Sequence, residues 1–453
     1  MSSTNPTLSP KIFSAYDIRG IYGDTLTDEG AYHIGRAAAQ YLNVPTIALG
    51  RDMRLSSPQI AASMMRGITD QGVDAVDLGM TTTDELYFAV GKFDFQAGVM
   101  ITASHNPGKY NGIKFCRAQA FPISLDTGLS DIRDLAISGH FATPTRKGEV
   151  TKRDVSGDYV KHALSFIDVS KIKPLKVVAD AGNGMAGMIL PKVFEHLPCT
   201  LVPLYFELDG NFPHHPASPI EPENMADLQQ KVRETGADLG VAFDGDADRM
   251  FPVDEHGNLV DGSQVIEVVS NSLLRKHPGS TILYNLVVSK SVPALITELG
   301  GTPIRTRVGL SFIKAEMRQH NAIFGGEHSG HFYFRDNWFA DSGLIAFLIT
   351  LELVSVEGKP LSELLKPLDR GIRSGEINST VSDTQSKLKA MEEHFGQGAK
   401  SVDHLDGLTV DYGNWWFSVR PSNTEPLLRL NVEANDRTTM EQKRDELLAF
   451  IRS

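Results

Sequence analysis

The residues best suited to chemistry lie in a few short stretches. Thr102 to Lys114 reads TASHNPGKYNGIK and follows the apolar run Gly98–Ile101. Ser104 therefore stands at the end of a buried strand with Lys109 and Lys114 close by, which suits a nucleophile or a phosphate carrier. Gly108 and Gly112 would let a ligand come close to the backbone. Alone, the stretch also reads as a Ser/Asn/Pro turn. Its chemistry depends on whether the chain supplies partners for a phosphorylated Ser104.

Asp244-Gly245-Asp246-Ala247-Asp248-Arg249 follows a second apolar strand, Leu239–Phe243. Open α/β sheets bind ligands at such carboxyl ends. Three alternating carboxylates offer hard oxygen donors that favour Mg²⁺ over zinc, and Arg249 beside them could hold a phosphate. Together with Glu255 the aspartates also fall at calcium-loop positions, but Arg249 occupies the place that loop reserves for glycine. Asp180–Gly187 matches G-x-G-x-x-G after a strand, which reads either as a dinucleotide fingerprint or as a close strand-to-helix turn. Gly325–His331, GGEHSGH, sets Glu327, Ser329 and His331 among glycines and can read sugar hydroxyls. Arg420–Pro426, RPSNTEP, brings Arg420, Ser422, Asn423 and Thr424 into one turn, a phosphate cradle.

These stretches need several domains to carry them, and 453 residues suffice for three or four. A net charge of −12 speaks against nucleic-acid or anionic-membrane partners. Two cysteines, Cys116 and Cys199, provide no disulfide framework. The N-terminal stretch lacks an apolar signal core, and the most apolar run, Gly343–Val356, is too short to span a bilayer, so a soluble cytoplasmic protein is expected.

Helical periodicity marks Asp28–Leu42, and Ser57 with Pro58 reads as the cap and first turn of a second helix. A helix tail, glycine and short strand recur at residues 65–79, 231–245 and 296–309, each after an upstream strand. Three similar mixed α/β domains are expected, followed by a C-terminal α+β domain with strands at Gly371–Ile377, Gly407–Tyr412, Trp415–Arg420 and Leu427–Ala434 and a final helix, Thr439–Ile451. The divisions fall at 1–152, 153–256, 257–368 and 369–453.

Five motifs in order, AYDIRG, TASHNP, DGDADR, GEHSGH and RPSNTEP, resemble those of the α-D-phosphohexomutase family, specifically its phosphomannomutase/phosphoglucomutase branch. The resemblance implies four domains around a central cleft and interconversion of hexose 1-phosphate and hexose 6-phosphate, mannose and/or glucose. It implies a phosphoserine at Ser104, Mg²⁺ on Asp244, Asp246 and Asp248 with Ser104 completing the site, and hexose 1,6-bisphosphate as intermediate and activator. Arg19, Lys114 and Arg249 match basic residues of the family's site, and Lys114 or His331 moves protons. Glu327 and Ser329 match its sugar-reading residues, and Arg420, Ser422, Asn423 and Thr424 its phosphate loop. Phosphorylated hexoses are the implied partners, with the chain a monomer or small homo-oligomer. Two family positions differ: Leu310 stands where many members have His, and Val287 where some have Lys, leaving Lys290, Arg305 or Arg307 to compensate. A phosphoglucosamine mutase, a nicotinamide-dependent dehydrogenase built on Gly182–Gly187, and a non-catalytic sugar-phosphate binding protein are the alternatives.

Overall fold

The computed structural model describes residues 8–368, 370–422 and 427–453. The chain divides into two compact units, Met1–Asp261 with Ser329–Ser362, and Gly262–His328 with Glu363–Ser453.

The first unit begins with β1 (Ile18–Ile21), α1 (Asp28–Leu42), β2 (Thr46–Arg51), α2 (Ser57–Asp70), β3 (Asp74–Met80), α3 (Thr83–Lys92), β4 (Ala97–Ile101), β5 (Tyr110–Arg117), β6 (Phe121–Ile123), α4 (Leu129–Ser138) and β7 (Val150–Lys152). Its sheet runs β1-β5-β4-β2-β3-β7, with β6 also on β5. Side chains alternate across a strand, and both faces are covered here. Ile47, Leu49, Val99 and Ile101 join a core with Ile34, Ile60 and Met64 of α1 and α2. Ala48 and Met100 face Leu86 and Val90 of α3 on the other side. Strands buried on both faces explain why these runs read as continuously apolar.

Next come α5 (Ser156–Leu164), β8 (Lys176–Asp180), α6 (Ala186–Phe194), β9 (Thr200–Leu204), α7 (Ala226–Thr235), β10 (Leu239–Phe243) and β11 (Met250–Val253), in sheet order β11-β10-β8-β9. In the second unit, α8 (Gly262–Lys276), β12 (Thr281–Asn285), α9 (Ser291–Glu298), β13 (Thr302–Thr306), α10 (Leu310–Gln319) and β14 (Phe324–Gly326) build a parallel set, β13-β12-β14. The chain returns to the first unit with the antiparallel pair β15 (Phe332–Phe334) and β16 (Ala340–Asp341) and the buried helix α11 (Gly343–Glu357). After the short α12 (Leu361–Leu365), an antiparallel sheet completes the second unit. It comprises β17 (Ile372–Arg373), β18 (Ile377–Thr380), β19 (Ser401–Asp403), β20 (Leu408–Asp411), β21 (Trp415–Pro421) and β22 (Leu427–Ala434), packed with α13 (Thr384–Phe395) and α14 (Arg437–Arg452).

The threefold recurrence is real in structural terms: α2–β3, α7–β10 and α9–β13 each end in a strand parallel to the upstream β2, β8 or β12. Two expectations need correction, and one helix is added. The N-cap of α2 is Ser56, and the Ser57 hydroxyl donates instead to Asp52 Oδ1 at 2.5 Å. The single strand expected at Gly371–Ile377 is two, β17 and β18, which pair with successive stretches of β22. The helix α13 was absent from the sequence reading because it buries only Met391 and Phe395, too little to mark a helical period. Among the described residues no helix is long and apolar enough to cross a membrane.

The loop after β4 is held by a residue of the connection between β2 and α2. Arg54, 1% exposed, donates from Nη2 to Ser104 O at 2.7 Å and Asn106 O at 2.6 Å. Its Nη1 donates to Pro107 O and Tyr110 O, both at 3.0 Å, and its Nε to Asp52 Oδ2 at 3.2 Å. All five guanidinium N–H groups are thereby used, and Asp52 neutralises the buried charge. Removing one member of a buried pair costs about 3–5 kcal/mol. Arg54→Met is therefore expected to lower the urea midpoint markedly and to expose the loop to tryptic cleavage after Lys109. An unchanged midpoint and an uncut loop would refute this role.

Candidate active site

Ser104 is 3% exposed and adopts a left-handed backbone conformation, φ 49°, uncommon for a residue with a side chain. Thr102 Oγ1 accepts its N–H at 2.9 Å, and Arg54 takes its carbonyl. Thus aimed, the Ser104 hydroxyl donates to Asp244 Oδ2 at 2.6 Å and accepts from Arg249 Nη2 at 3.0 Å. Asp244 is 140 residues away, on the turn after β10. The two loops approach so closely that a Cβ on Gly245 would stand 2.4 Å from Ser104 O. His105 Nδ1 lies 3.2 Å from Ser104 Oγ and also accepts from Arg249 Nη2. The Arg249 guanidinium, with burial, pushes the His105 ring well below its usual range. The ring is thus neutral, with Nδ1 as acceptor.

Asp244, Asp246 and Asp248 are all buried, and each presents a carboxylate oxygen within 4.8 Å of the others. Lys114 Nζ donates to Asp246 Oδ2 at 2.7 Å and Asp248 Oδ2 at 2.6 Å, while Arg249 Nε donates to Asp244 Oδ2 at 2.8 Å. Burial alone would push Asp246 upward, but the Lys114 ammonium holds its carboxyl far below the usual range. Burial pushes Asp244 up to about 7 despite Arg249. Three carboxylates thus share two directly bonded cations, and Asp246 Oδ1 and Asp248 Oδ1 are buried without a hydrogen-bond partner. Such a hard, oxygen-only and electron-rich donor set fits a divalent cation of the Mg²⁺ type.

Arg19 supports the same loop. Its Nη1 donates to Ala103 O and, at 2.7 Å, to Asn106 Oδ1, and its Nε pairs with Asp17 at 2.9 Å. His331 forms an antiparallel bridge with Arg249, its Nε2 3.8 Å from Asp248 Oδ1 and its Nδ1 3.2 Å from Ser329 Oγ. The first unit thus brings together Ser104, Arg19, Lys114, Arg249, the three aspartates, Ser329 and His331.

The second unit holds Glu327, Arg420 and Ser422. Glu327 Oε2 accepts from Asn285 Nδ2 at 3.2 Å, and that amide also lies 3.5 Å from His328 Nδ1. Glu376 links this loop to β21: its carboxylate accepts from Arg420 at 2.9 Å and Arg429 at 3.1 Å and lies 3.8 Å from His328. Burial would raise Glu376, but His328, Arg420 and Arg429 hold it below its usual range. Asn423 and Thr424 lie outside the described residues. Leu310 opens α10, half-buried. The suggested compensators are engaged elsewhere: Lys290 with Asp411 at 2.5 Å, Arg305 with Asp403 at 2.5 Å, and Arg307 over the Phe312 ring at 4.4 Å.

The remaining glycine-rich and calcium-like readings give way to packing. Met185 N donates to Gly245 O at 3.0 Å, and a Cβ on Gly187 would meet Phe206 O at 2.3 Å. Asp180–Gly187 is therefore a close turn beneath the Asp244 loop, with protein backbone where a dinucleotide would need space. Gly108 and Gly112, expected to admit a ligand, pack against Gly210 O and Ile18 O. Glu255 bonds Ser362 instead of joining the aspartates.

Sequence reasoning passed over Arg54, His105, Thr83 and Glu376. Thr83, the first residue of α3, donates its hydroxyl to Asp246 Oδ2 at 2.5 Å and its N–H to Asp246 O at 3.1 Å. His105 stands inside the TASHNP stretch, beside Ser104. Nothing local singles out Thr83 or Glu376.

Four successive family models match this chain. They are phosphoglucomutase/phosphomannomutase alpha/beta/alpha domains I, II and III, at residues 10–141, 157–257 and 261–370, and the C-terminal domain, at 376–449. A phosphomannomutase of Salmonella montevideo is 40% identical over 450 residues, covering 97% of this chain and 99% of its own. A protein named for phosphohexose mutases from Xanthomonas campestris pv. campestris is 40% identical over 442 residues, with coverage of 97% and 99%. The crystal structure of a phosphoglucomutase/phosphomannomutase family protein from Burkholderia thailandensis superimposes with a TM-score of 0.90 at 33% identity, covering 98% of this chain and 97% of that one. With all four domain models matched in order along its length, the chain belongs to the phosphoglucomutase/phosphomannomutase family of phosphohexose mutases.

Proposed function

We propose that this protein interconverts hexose 1-phosphate and hexose 6-phosphate, of mannose and/or glucose, by way of phospho-Ser104 and a hexose 1,6-bisphosphate. The observation that carries this reading is the Ser104 hydroxyl, buried and hydrogen-bonded to both Asp244 and Arg249. A hydroxyl that served only a turn would not be seated on a carboxylate cluster from another sheet.

In the proposed cycle a substrate hydroxyl attacks the phosphorus on Ser104, its proton leaves to His331, and the P–Oγ bond breaks, while Lys114, kept as an ammonium by Asp246 and Asp248, supplies positive charge. The bisphosphate formed then turns over, and Ser104 recovers a phosphoryl group from its other end. Added hexose 1,6-bisphosphate activates by phosphorylating Ser104. Asp244, Asp246 and Asp248, with an oxygen on Ser104, would hold Mg²⁺, which stabilises negative charge on a transferring phosphoryl group when bound. Arg249 supplies charge at the same oxygen, and Arg19 and Arg54 keep the loop in place for transfer. Glu327 and Ser329 read sugar hydroxyls, and Arg420 with Ser422, Asn423 and Thr424 holds the phosphate that is not reacting.

Ser104→Ala is expected to lose the added phosphoryl mass seen in wild type and at least about 10³-fold in kcat, by analogy with removal of other nucleophiles. Full activity without a phosphorylated species would overturn the mechanism. Chelation by EDTA is expected to abolish activity and Mg²⁺ to restore it, with Asp246→Asn needing at least about tenfold more Mg²⁺; indifference to EDTA would refute the metal assignment. Coupled assays with mannose, glucose and glucosamine phosphates decide the sugar. A preference for the amino sugar would favour the phosphoglucosamine mutase alternative.

A further inference from the structure

A second buried carboxyl lies behind the metal loop and takes no part in the mechanism above. Asp84, at the second position of α3, is 1% exposed. Its Oδ2 accepts from Tyr159 Oη of α5 at 2.5 Å and from Ser342 Oγ at 2.7 Å, and those two hydroxyls are 3.1 Å apart. Its Oδ1 accepts from Glu85 N at 3.0 Å and from the Thr82 hydroxyl. Ser342 is the N-cap of α11 and accepts from Ile345 N at 3.1 Å. One carboxyl thus ties the N-termini of two helices to a side chain of a third.

The helix start needs no such help. Thr82 and Glu85 already form a capping box, with Glu85 N on Thr82 Oγ1 at 3.1 Å and Thr82 N on Glu85 Oε2 at 2.8 Å. What the extra carboxyl gains is visible one residue away on each side. Thr83 gives both its hydroxyl and its N–H to Asp246. Gly343, next to Ser342, packs so closely on the metal loop that a Cβ there would lie 2.9 Å from Arg249 C and 3.1 Å from Ala247 O. The loop is gripped at Asp246 and along 247–249 by Thr83 and Gly343, each next in sequence to a member of the Asp84 cluster.

We propose that Asp84, with Tyr159 and Ser342, is a positioning group that sets the geometry of the metal-binding loop through Thr83 on Asp246 and Gly343 on residues 247–249. The inference rests on the metal reading above. Outer partners of metal ligands typically change affinity by about 10–100-fold when lost. Burial raises the Asp84 carboxyl to about 7, in keeping with a group surrounded by hydroxyls and no cation.

The test is Mn²⁺ binding to the full-length protein, followed by electron paramagnetic resonance, in wild type, Asp84→Asn, Tyr159→Phe, Thr83→Val and the double variant Asp84→Asn/Thr83→Val. The expected result is a Mn²⁺ Kd raised about tenfold in each single variant. The double variant is expected to fall short of the summed losses of the two singles, because part of the Asp84 effect passes through Thr83. Saturating Mg²⁺ is expected to return kcat to within about twofold of wild type, as a loop that is displaced but intact requires. Leu447→Ala, a core truncation in α14, serves as a control for general destabilisation and is expected to leave the Kd unchanged. Wild-type affinity in Asp84→Asn and Tyr159→Phe, or strictly additive losses in the double variant, would overturn the proposal. Wild type that binds no Mn²⁺ would overturn the metal reading along with it.

Discussion

Three aspartates crowded into one buried turn impose the constraint to which the rest of the structure answers. Like charges at this spacing repel, and burial strengthens that repulsion by removing water. Lys114 and Arg249 offset part of it, and the proposed divalent cation would supply the remainder. Each neighbouring element serves the same requirement. β5 carries Lys114 to two carboxylates, α3 presents Thr83 to one of them, and β4 delivers a serine rather than another charge. The turn would spread apart if built from its own residues alone.

That demand also explains why the serine loop is so heavily braced. A left-handed residue between an apolar strand and a proline has little local reason to hold one conformation. Arg54 satisfies four of its carbonyls from the connection between β2 and α2. Arg19 approaches the same loop through Ala103 and Asn106. Two guanidiniums on backbone oxygens hold the loop without adding a competing acceptor near the hydroxyl. Charge is thus used twice in the first unit, once for chemistry and once for structure.

Much of this was legible in the amino-acid order, and for a physical reason. Ser104 and the aspartates sit in turns and Arg420 at the end of β21, among residue types that are unusual over a few positions, and short-range composition reports them. The α/β repeat was legible because buried parallel strands read as apolar runs. Arg54, Thr83 and Asp84 were not legible, because each is an ordinary residue whose partner lies 50 to 258 residues away. Glu376 was missed likewise, with partners 44 and 53 residues on. The division of 371–380 into two strands was hidden because a bend between pairings leaves no mark on an alternating pattern. The glycine-rich stretch at 182–187 shows the reverse error: a local pattern with a functional meaning elsewhere was here a packing turn.

Glu376 carries one more consequence. Arg420 and Arg429 are direct cross-strand neighbours on β21 and β22, and one carboxylate already spans them. On the proposed function, an arriving phosphate would not meet bare guanidiniums but would displace the Glu376 carboxylate from them. One oxyanion would be exchanged for another, and Glu376 would return to the arginines when the phosphate left, a latch that resets itself.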